Sequence, residues 1–362
     1  MKILLLADPE ANHTIKWANA LSEKGFEILV FGLSTYNKKE YNKKIKIISY
    51  PIFGKLKYLT TSSFTKAIYL RALPKLKRII KEFKPDILHA HYASSFGLLA
   101  AMTTFHPFII SAWGTDIFGF PRTSVIHKNL LKYSLSKADR ILSTSHIMAE
   151  EIKKYSKNYV HITPFGIDTD IFKPAGNEPK NSITIGTVKT LEPTYGIDIL
   201  LKTFAEVKKN IGDKIAINLM IVGEGSQKQE LINLSRKLNI ERWTSFVGHV
   251  PYSRINQIHQ KMDVELFLSR EESFGVSVLE ASACGIPVIT TNIGGFREIV
   301  EKDVTGYLVE RDDYLSASEK LFKLILNEKL RVDMGKAGRQ FVQKNYELSD
   351  CVEKVISIYR TI

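Results

Sequence analysis

Two doubly wound α/β domains, each built on a parallel sheet, are what this sequence predicts, and three observations carry the prediction. Strand-like apolar runs alternate with amphipathic helical segments from one end of the chain to the other, the pattern of parallel sheets covered by helices. The 362 residues exceed what one hydrophobic core usually serves. Near the middle, "PFGIDTDIFKPAGNEPKNS" is dense in Pro, Gly, Asn and Asp, the composition of a linker.

Taken in order, "MKILLLADPEAN" has a single Lys and a short apolar run before Asp8, so it reads as a first strand rather than a signal peptide. The other strand candidates of the first half are "FEILVFG", "DILHAH", "PFIISAW", "RILSTS" and "VHITP", with helices near residues 14–24, 63–83, 94–105, 124–137 and 146–155. In the second half "ITIGTV", "INLMIVGEG", "TSFVGHV", "VELFLSR", "PVITTN" and "TGYLVE" read as strands. Helices are expected there near 196–210, 226–238, 251–261, 275–283, 295–301 and 314–327. The closing "NYELSDCVEKVISIYR" has helical spacing as well. The expected domains are therefore 1–170 and 171–345, followed by a helix over 346–362 with the first domain as its candidate packing partner. Two such sheets joined by a linker would face a common cleft, with ligands outside the carboxyl ends of the strands.

Composition narrows the class. With 44% hydrophobic and 25% charged residues the chain is globular, not disordered. From Tyr92 to Thr115 there is no Asp, Glu, Lys or Arg, close to the ~20 residues of a membrane span. Its Ser, Thr, His and Pro content instead divides it into a buried helix and a strand. Cys284 and Cys351 have neither metal spacing nor a disulfide framework, which points to a reducing cytoplasm. No Walker loop, Gly-x-Gly-x-x-Gly, Gly-x-Ser-x-Gly or His-Glu-x-x-His motif is present, so the commonest nucleotide-hydrolase, esterase and zinc-protease readings fall away.

The net charge of +13 is confined to one half: residues 1–175 hold 26 Lys and Arg against 13 Asp and Glu, whereas 176–362 are balanced at 25 each. The segment 38–84 alone carries 14 basic residues. Within it "PKLKRIIKEFK" sets Leu76, Ile79, Ile80 and Phe83 on one helical face and Lys75, Lys77, Arg78, Lys81 and Lys84 around the rest. Such an element suits an anionic membrane surface at the inner face, or a phosphate-bearing acceptor; a core-packed helix with a solvated basic face explains it equally. No nucleic-acid partner is expected.

The densest chemistry lies in "EESFGVSVLEASACGIPVITTNIGGFREIV", Glu271 to Val300. After the strand "VELFLS" the chain turns at Ser273-Phe274-Gly275 into a helix whose first N–H groups, those of Gly275 and Val276, suit a phosphate or sugar-phosphate. Glu272 stands before that helix and Glu280 about two turns in. Carboxylates accept from vicinal hydroxyls, so one suits a hexose and the other a ribose. The plainer alternative is that Glu272 complements the helix dipole and Glu280 is an exposed helical residue.

These residues resemble the retaining glycosyltransferases of family 4, of the GT-B fold and the surface-polysaccharide type. The likeness runs through the Glu-x7-Glu signature in "ESFGVSVLEASACGIPV", then "GGFREIV", "TGYLV", "IVGEGSQKQELINLSRKL", "FVGHVP" and "TPFGIDTDIFKP". It covers residues 160–345 strongly and the first half more loosely, through "ILHAHYAS" and "SAWGTDI". It implies a metal-independent hexosyltransferase that needs no cofactor and moves a sugar from a nucleoside-diphosphate donor to a hydroxyl of a carbohydrate or lipid-linked acceptor. By the same resemblance Glu272 contacts the transferred sugar and Glu280 the ribose. Phe274, Gly275 and Val276 face sugar and diphosphate, while Gly223, Glu224, His249 and Val250 lie near the base.

The sequence departs from the family's pattern in two places. Where an Arg and, six residues later, a Lys usually neutralise the diphosphate, "KTLEPTY" has Lys189 and Tyr195, leaving one cation and a phenol able to donate a hydrogen bond. Where many members show His-Gly-x-Asp, this chain has Trp113-Gly114-Thr115-Asp116. Trp113 suits stacking on a sugar or packing; Asp116 suits orienting a hydroxyl or stabilising a turn. His13 and His91, at predicted strand-to-helix loops, complete the acceptor-side candidates. A nucleotide-sugar epimerase and a catalytically inactive sugar-nucleotide or glycan-binding partner are the rival readings, the latter motivated by Tyr195.

Overall fold

The computed structural model describes residues 1–36, 40–50, 69–176 and 181–362. The chain divides into two compact units, Met1–Phe165 with Ser349–Ile362, and Gly166–Leu348.

The first unit has seven parallel strands among the described residues: β1 (Lys2–Leu6), β2 (Glu27–Gly32), β3 (Lys46–Ser49), β4 (Ile87–His91), β5 (Phe108–Ala112), β6 (Arg140–Ser143) and β7 (Val160–Ile162). Their order is β3-β2-β1-β4-β5-β6-β7. Helices α1 (Asn12–Glu23), α2 (Leu73–Phe83), α3 (Phe96–Ala101), α4 (Thr115–Phe118), α5 (Phe120–Thr123), α6 (Val125–Lys137) and α7 (His146–Ile152) connect them. All residues of β4 and β5 are buried, which is why these strands read as unbroken apolar runs. The uncharged stretch before Thr115 is α3 followed by β5, both inside the core.

Strand β3 escapes the sequence patterning because it is an edge strand in lysine-rich surroundings, with Lys46 paired to Glu27 of β2 at 3.1 Å. Much of the basic segment 38–84 lies outside the described residues. Where it is described, α2 buries Leu76, Ile79 and Phe83 in the core and exposes Lys75, Lys77, Arg78 and Lys81. Its apolar face is therefore used within the fold, and the face presented to solvent carries these cations together with Glu82, which pairs with Arg78 at 2.7 Å.

The second unit repeats the design with β8 (Ile183–Val188), β9 (Ile217–Val222), β10 (Thr244–Gly248), β11 (Val264–Phe267), β12 (Val288–Thr291) and β13 (Gly306–Val309), ordered β10-β9-β8-β11-β12-β13 and parallel throughout. Its helices are α8 (Ile197–Ile211), α9 (Lys228–Lys237), α10 (Ile255–His259), α11 (Val276–Ala283), α12 (Phe296–Ile299), α13 (Tyr314–Leu326) and α14 (Glu328–Asn345). The 18-residue α14 was not expected from the sequence: it packs through Met334, Gly335, Gly338 and Val342, so glycines replace half of the apolar stripe that reveals most helices. The last helix, α15 (Leu348–Arg360), falls largely in the first unit, where Tyr359 Oη meets His89 Nδ1 at 2.6 Å.

Each sheet reverses its winding between two adjacent strands, β1 and β4 in the first unit and β8 and β11 in the second. Ligands of doubly wound sheets bind beyond the carboxyl ends of the strands at that point. No helix among the described residues is long and apolar enough to cross a membrane.

Candidate functional site

Along the carboxyl edge of the second sheet, strand order turns a scattered set of residues into a row. His249 and Val250 follow β10, Gly223 and Glu224 follow β9, Lys189 follows β8, and the Ser269–Glu272 loop follows β11. Lys189 and Glu272, 83 residues apart, meet at the switch point: Nζ donates to Oε2 at 2.5 Å, with both side chains about nine-tenths buried. The ammonium also lies 4.8 Å from the ring centre of Tyr195 and 6.0 Å from that of Phe296. The expectation of a lone cation beside a donating phenol needs correction here: Lys189 is already neutralised by Glu272, and Tyr195 offers it a ring face.

Two devices fix this pair. Arg270 donates to both oxygens of Asp198 at 3.0 and 2.8 Å, to Asp312 at 2.8 Å and to the Pro193 carbonyl at 2.7 Å, while its backbone N–H donates to Thr194 at 2.7 Å. One guanidinium thus ties the turn carrying Tyr195 to the loop carrying Glu272. On the other side Gly294, with φ +41°, packs on Glu272: a Cβ there would lie 2.0 Å from the Glu272 carbonyl oxygen, which accepts from Gly295 N–H at 3.1 Å. Gly294 and Gly295 are therefore the wall behind Glu272. Phe274 is buried, and Gly275 precedes the first residue of α11 with no side chain capping the helix.

Gly223 allows a second close approach. Its φ is +145°, and a Cβ would lie 1.9 Å from the carbonyl oxygen of Lys189. Gly223→Ala is expected to destabilise the second unit by about 3 kcal/mol, because strained backbone and displacement of the Lys189 loop act together. Thermal unfolding alongside nucleotide binding checks this, and an Ala variant with unchanged stability would remove the assigned role. Glu224 pairs with Lys228 at 2.7 Å, and His249 is exposed.

Glu280 is not an exposed helical residue. It is 3% exposed, with Oε1 accepting from Tyr252 Oη at 2.9 Å and Oε2 lying 3.7 Å from His259 Nε2. His259 is fully buried, and its Nδ1 meets Oε1 of the equally buried Glu265 at 2.6 Å. Burial opposes charge on His259, but Glu265 and Glu280 together outweigh it and raise its pKa to about 9. Burial also raises Glu265, which taken alone favours a neutral pair. Since a second carboxylate, Glu280, faces the other ring nitrogen, we assign the imidazolium form. Tyr252, His259 and Glu265 were absent from the sequence reading, although a glutamate within the buried strand "VELF" signals a buried partner.

In the first unit the acceptor-side candidates gather at its own switch point. The His13 ring stacks on Phe165 at 4.0 Å and meets Trp113 edge-on at 5.9 Å, while Trp113 lies 4.7 Å from His91 and 5.3 Å from Phe165. His91, His89, Ser111, Thr144, Thr163, Trp17 and Trp113 are among the residues lining a small cavity there. Burial lowers both His13 and His91 to about 3, so both rings are neutral near pH 7.

Asp116 stands apart from the catalytic expectation. It is fully buried, and its carboxylate accepts from the backbone N–H groups of Ala93 and Gly114, each at 2.7 Å, and of Trp113 at 3.2 Å. Burial raises its pKa against these hydrogen bonds. The side chain is a loop organiser that holds the chain after β5 to the chain after β4. Asp116→Asn puts an amide N–H₂ opposite backbone donors and is expected to cost about 1–3 kcal/mol, read as a lowered unfolding temperature.

With this geometry in place, comparison with known proteins identifies the chain. Residues 168–341 match the model of glycosyl transferases group 1, and residues 2–145 match glycosyl transferase 4-like. The second unit carries a group 1 glycosyltransferase domain and the first a glycosyl transferase 4-like one. N-acetyl-alpha-D-glucosaminyl L-malate synthase of Bacillus anthracis is 25% identical over 370 residues, covering 94% of this chain and 90% of that protein. Among solved structures, sucrose-phosphate synthase of Thermosynechococcus elongatus superposes with a TM-score of 0.84 at 18% identity, over 100% of this chain and 98% of that one. HepE of Anabaena, solved with UDP, gives 0.83 at 17% identity, with both chains fully covered. These likenesses show that the two parallel-sheet units have the GT-B fold.

Proposed function

We propose that this glycosyltransferase transfers a hexose, with retention of anomeric configuration and without a metal, from a nucleoside-diphosphate sugar to a hydroxyl of a lipid-linked or polysaccharide precursor. The observation that carries the reading is the Lys189–Glu272 pair at the switch point of the second sheet. An ammonium beside a carboxylate suits the junction of a donor, where diphosphate oxygens and sugar hydroxyls are neighbours. In this reading Lys189 stabilises charge on the leaving diphosphate and Glu272 accepts from hydroxyls of the transferred sugar. The amides of Phe274, Gly275 and Val276 at the start of α11 add N–H donors to the diphosphate. Glu280 takes the ribose, with Gly223, Glu224, His249 and Val250 toward the base and Tyr195 completing the pocket. Front-face attack, in which the leaving phosphate helps take the acceptor proton, accounts for retention without a carboxylate nucleophile. On the acceptor side we assign contact to His13, His91 and Trp113, with Asp116 holding their loop.

The basic first half supports an anionic acceptor at an inner membrane face. The exposed cations of α2, and Val125 and Ile126 exposed at the start of α6 beside Arg122 and Lys128, are the groups that would meet such a surface. Sedimentation with liposomes tests this: retention on anionic but not neutral vesicles is expected, and indifference to lipid charge rejects it.

The transfer itself is tested by a panel of UDP-, GDP-, dTDP- and ADP-sugars, with UDP donors first because HepE was solved with UDP. Thermal stabilisation by one donor, and nucleotide release only when acceptor is added, is the expected outcome. Conversion of donor without acceptor indicates an epimerase, and binding without turnover a non-catalytic partner.

A further inference from the structure

Beneath the donor site lies a buried network of which the proposed chemistry uses only Glu280. His259 closes α10, Glu265 lies in β11 and Glu280 in α11, so three separate elements converge on one imidazole. Its Nδ1 is held by Glu265 at 2.6 Å, while Nε2 stands 3.7 Å from Glu280 Oε2 and has no hydrogen-bond partner. Glu265 Oε2 is likewise unpartnered, although buried. Tyr252, from the turn after β10, donates to the other Glu280 oxygen. Phe172 closes the network with its ring 6.1 Å from His259 and 6.0 Å from Tyr252. The remaining titratable groups are Cys284, whose thiol burial and both carboxylates push up, Arg339, which opposes that shift, and Asp168, which acts on Tyr252.

A charged group in this position is costly unless it serves its neighbours, and the same shape could be filled by apolar side chains. Its geometry gives it something to serve. The imidazole is fastened on one side by Glu265 and aims its second nitrogen at Glu280, whose other oxygen is fixed by Tyr252. Glu280 is thereby held from two directions on a helix whose start is the proposed diphosphate site. We propose that His259 and Glu265 are positioning residues for the donor: through Nε2 of His259 they fix the Glu280 carboxylate so that it accepts from the ribose hydroxyls of the nucleotide. This rests on the assignment of Glu280 to the ribose. Neither residue touches the donor; both act through Glu280.

Calorimetric titration of the full chain with UDP, GDP and ADP, each beside its 2′-deoxy counterpart, separates the two claims. Wild type is expected to bind one ribonucleotide about tenfold or more tightly than its 2′-deoxy form, and Glu280→Gln to abolish that ratio. The double variant His259→Gln/Glu265→Gln keeps two groups able to hydrogen-bond to each other without a buried charge, so it guards against a trivial folding defect. It is expected to bind the ribonucleotide about tenfold more weakly while binding the 2′-deoxy form as wild type does. A change shared equally by both nucleotides marks a merely structural role and overturns the proposal, as does an unchanged ribose ratio. If wild type shows no preference for the ribonucleotide, or binds none of the three, the assignment of Glu280 fails and the inference falls with it. With a working donor, the same variant is expected to raise KM and leave kcat nearly unchanged.

Discussion

Lys189→Met is expected to lower the rate of sugar transfer by about 10²–10³, the loss typical of removing one preorganised group that stabilises developing charge. The estimate follows from geometry. Lys189 is the cation on the strand-end loop at the switch point, about nine-tenths buried, and unit charges about 4 Å apart at an effective dielectric near 20 interact by roughly 4 kcal/mol. A change of about 1.4 kcal/mol is tenfold in rate, so most of that interaction, expressed in the transition state, yields the stated factor. The variant also leaves Glu272 buried without its partner, which is expected to destabilise the second unit by about 3–5 kcal/mol. The two losses are separable. Lys189→Met/Glu272→Gln removes the uncompensated charge and is expected to recover most of the stability but none of the activity. Lys189→Arg, which keeps the charge, is expected to retain more transfer than Met. Steady-state kinetics and thermal unfolding on the four proteins measure both terms, and a double variant as active as wild type would exclude the pair from the donor site.

Much of the fold was legible because both sheets are parallel and buried on two faces. Such strands are continuous apolar runs, and "KILLL", "ILHAH" and "FIISA" stand as β1, β4 and β5 with every residue beyond Lys2 buried. What escaped was whatever does not bury an apolar stripe: the lysine-flanked edge strand β3, the one-turn helices α4 and α5, and α14 with its glycines. The site was legible in composition but not in pairing. Gly294 and Gly295 are adjacent in the sequence, yet only the fold shows that Gly294 packs on the backbone of Glu272 and Gly295 on that of Phe274. Lys189 and Tyr195 were singled out for a missing second cation, and the structure makes one a partner of Glu272 and the other a ring against it. Spacing along the chain cannot state which of two carboxylates a lysine meets, because that depends on strand order. Glu265 was the overlooked clue: a carboxylate in a strand buried on both faces requires a buried partner, and His259, six residues earlier, is that partner.

That pair leads to the second large effect, a loss of stability in the second unit as pH rises. His259 has its folded pKa raised to about 9 from an ordinary value near 6.5. A group raised in this way contributes stability that is fully present below its unfolded pKa and is lost as pH rises through the folded value. Glu265 is raised as well by burial, so its contribution has the same sign and is lost as pH rises through its own folded value. His259 contributes between about pH 6.5 and 9, and linkage makes its share of order 3 kcal/mol. Physically, deprotonation removes the cation that two buried carboxylates share, and the fold must then hold Glu265 and Glu280 beside a neutral ring. Because the chain has two units, one global unfolding curve would mix them. Hydrogen exchange in peptides from β11 and α11, compared at pH 6.5 and 9.5 after correction for intrinsic rates, isolates the effect. Protection in both elements is expected to fall by about two orders of magnitude in wild type, the factor that ~3 kcal/mol represents. In His259→Gln/Glu265→Gln the two pH values are expected to give equal protection, since neither replaced side chain titrates. A wild-type chain whose β11 protection is the same at both pH values would show that the imidazole is not charged in the fold.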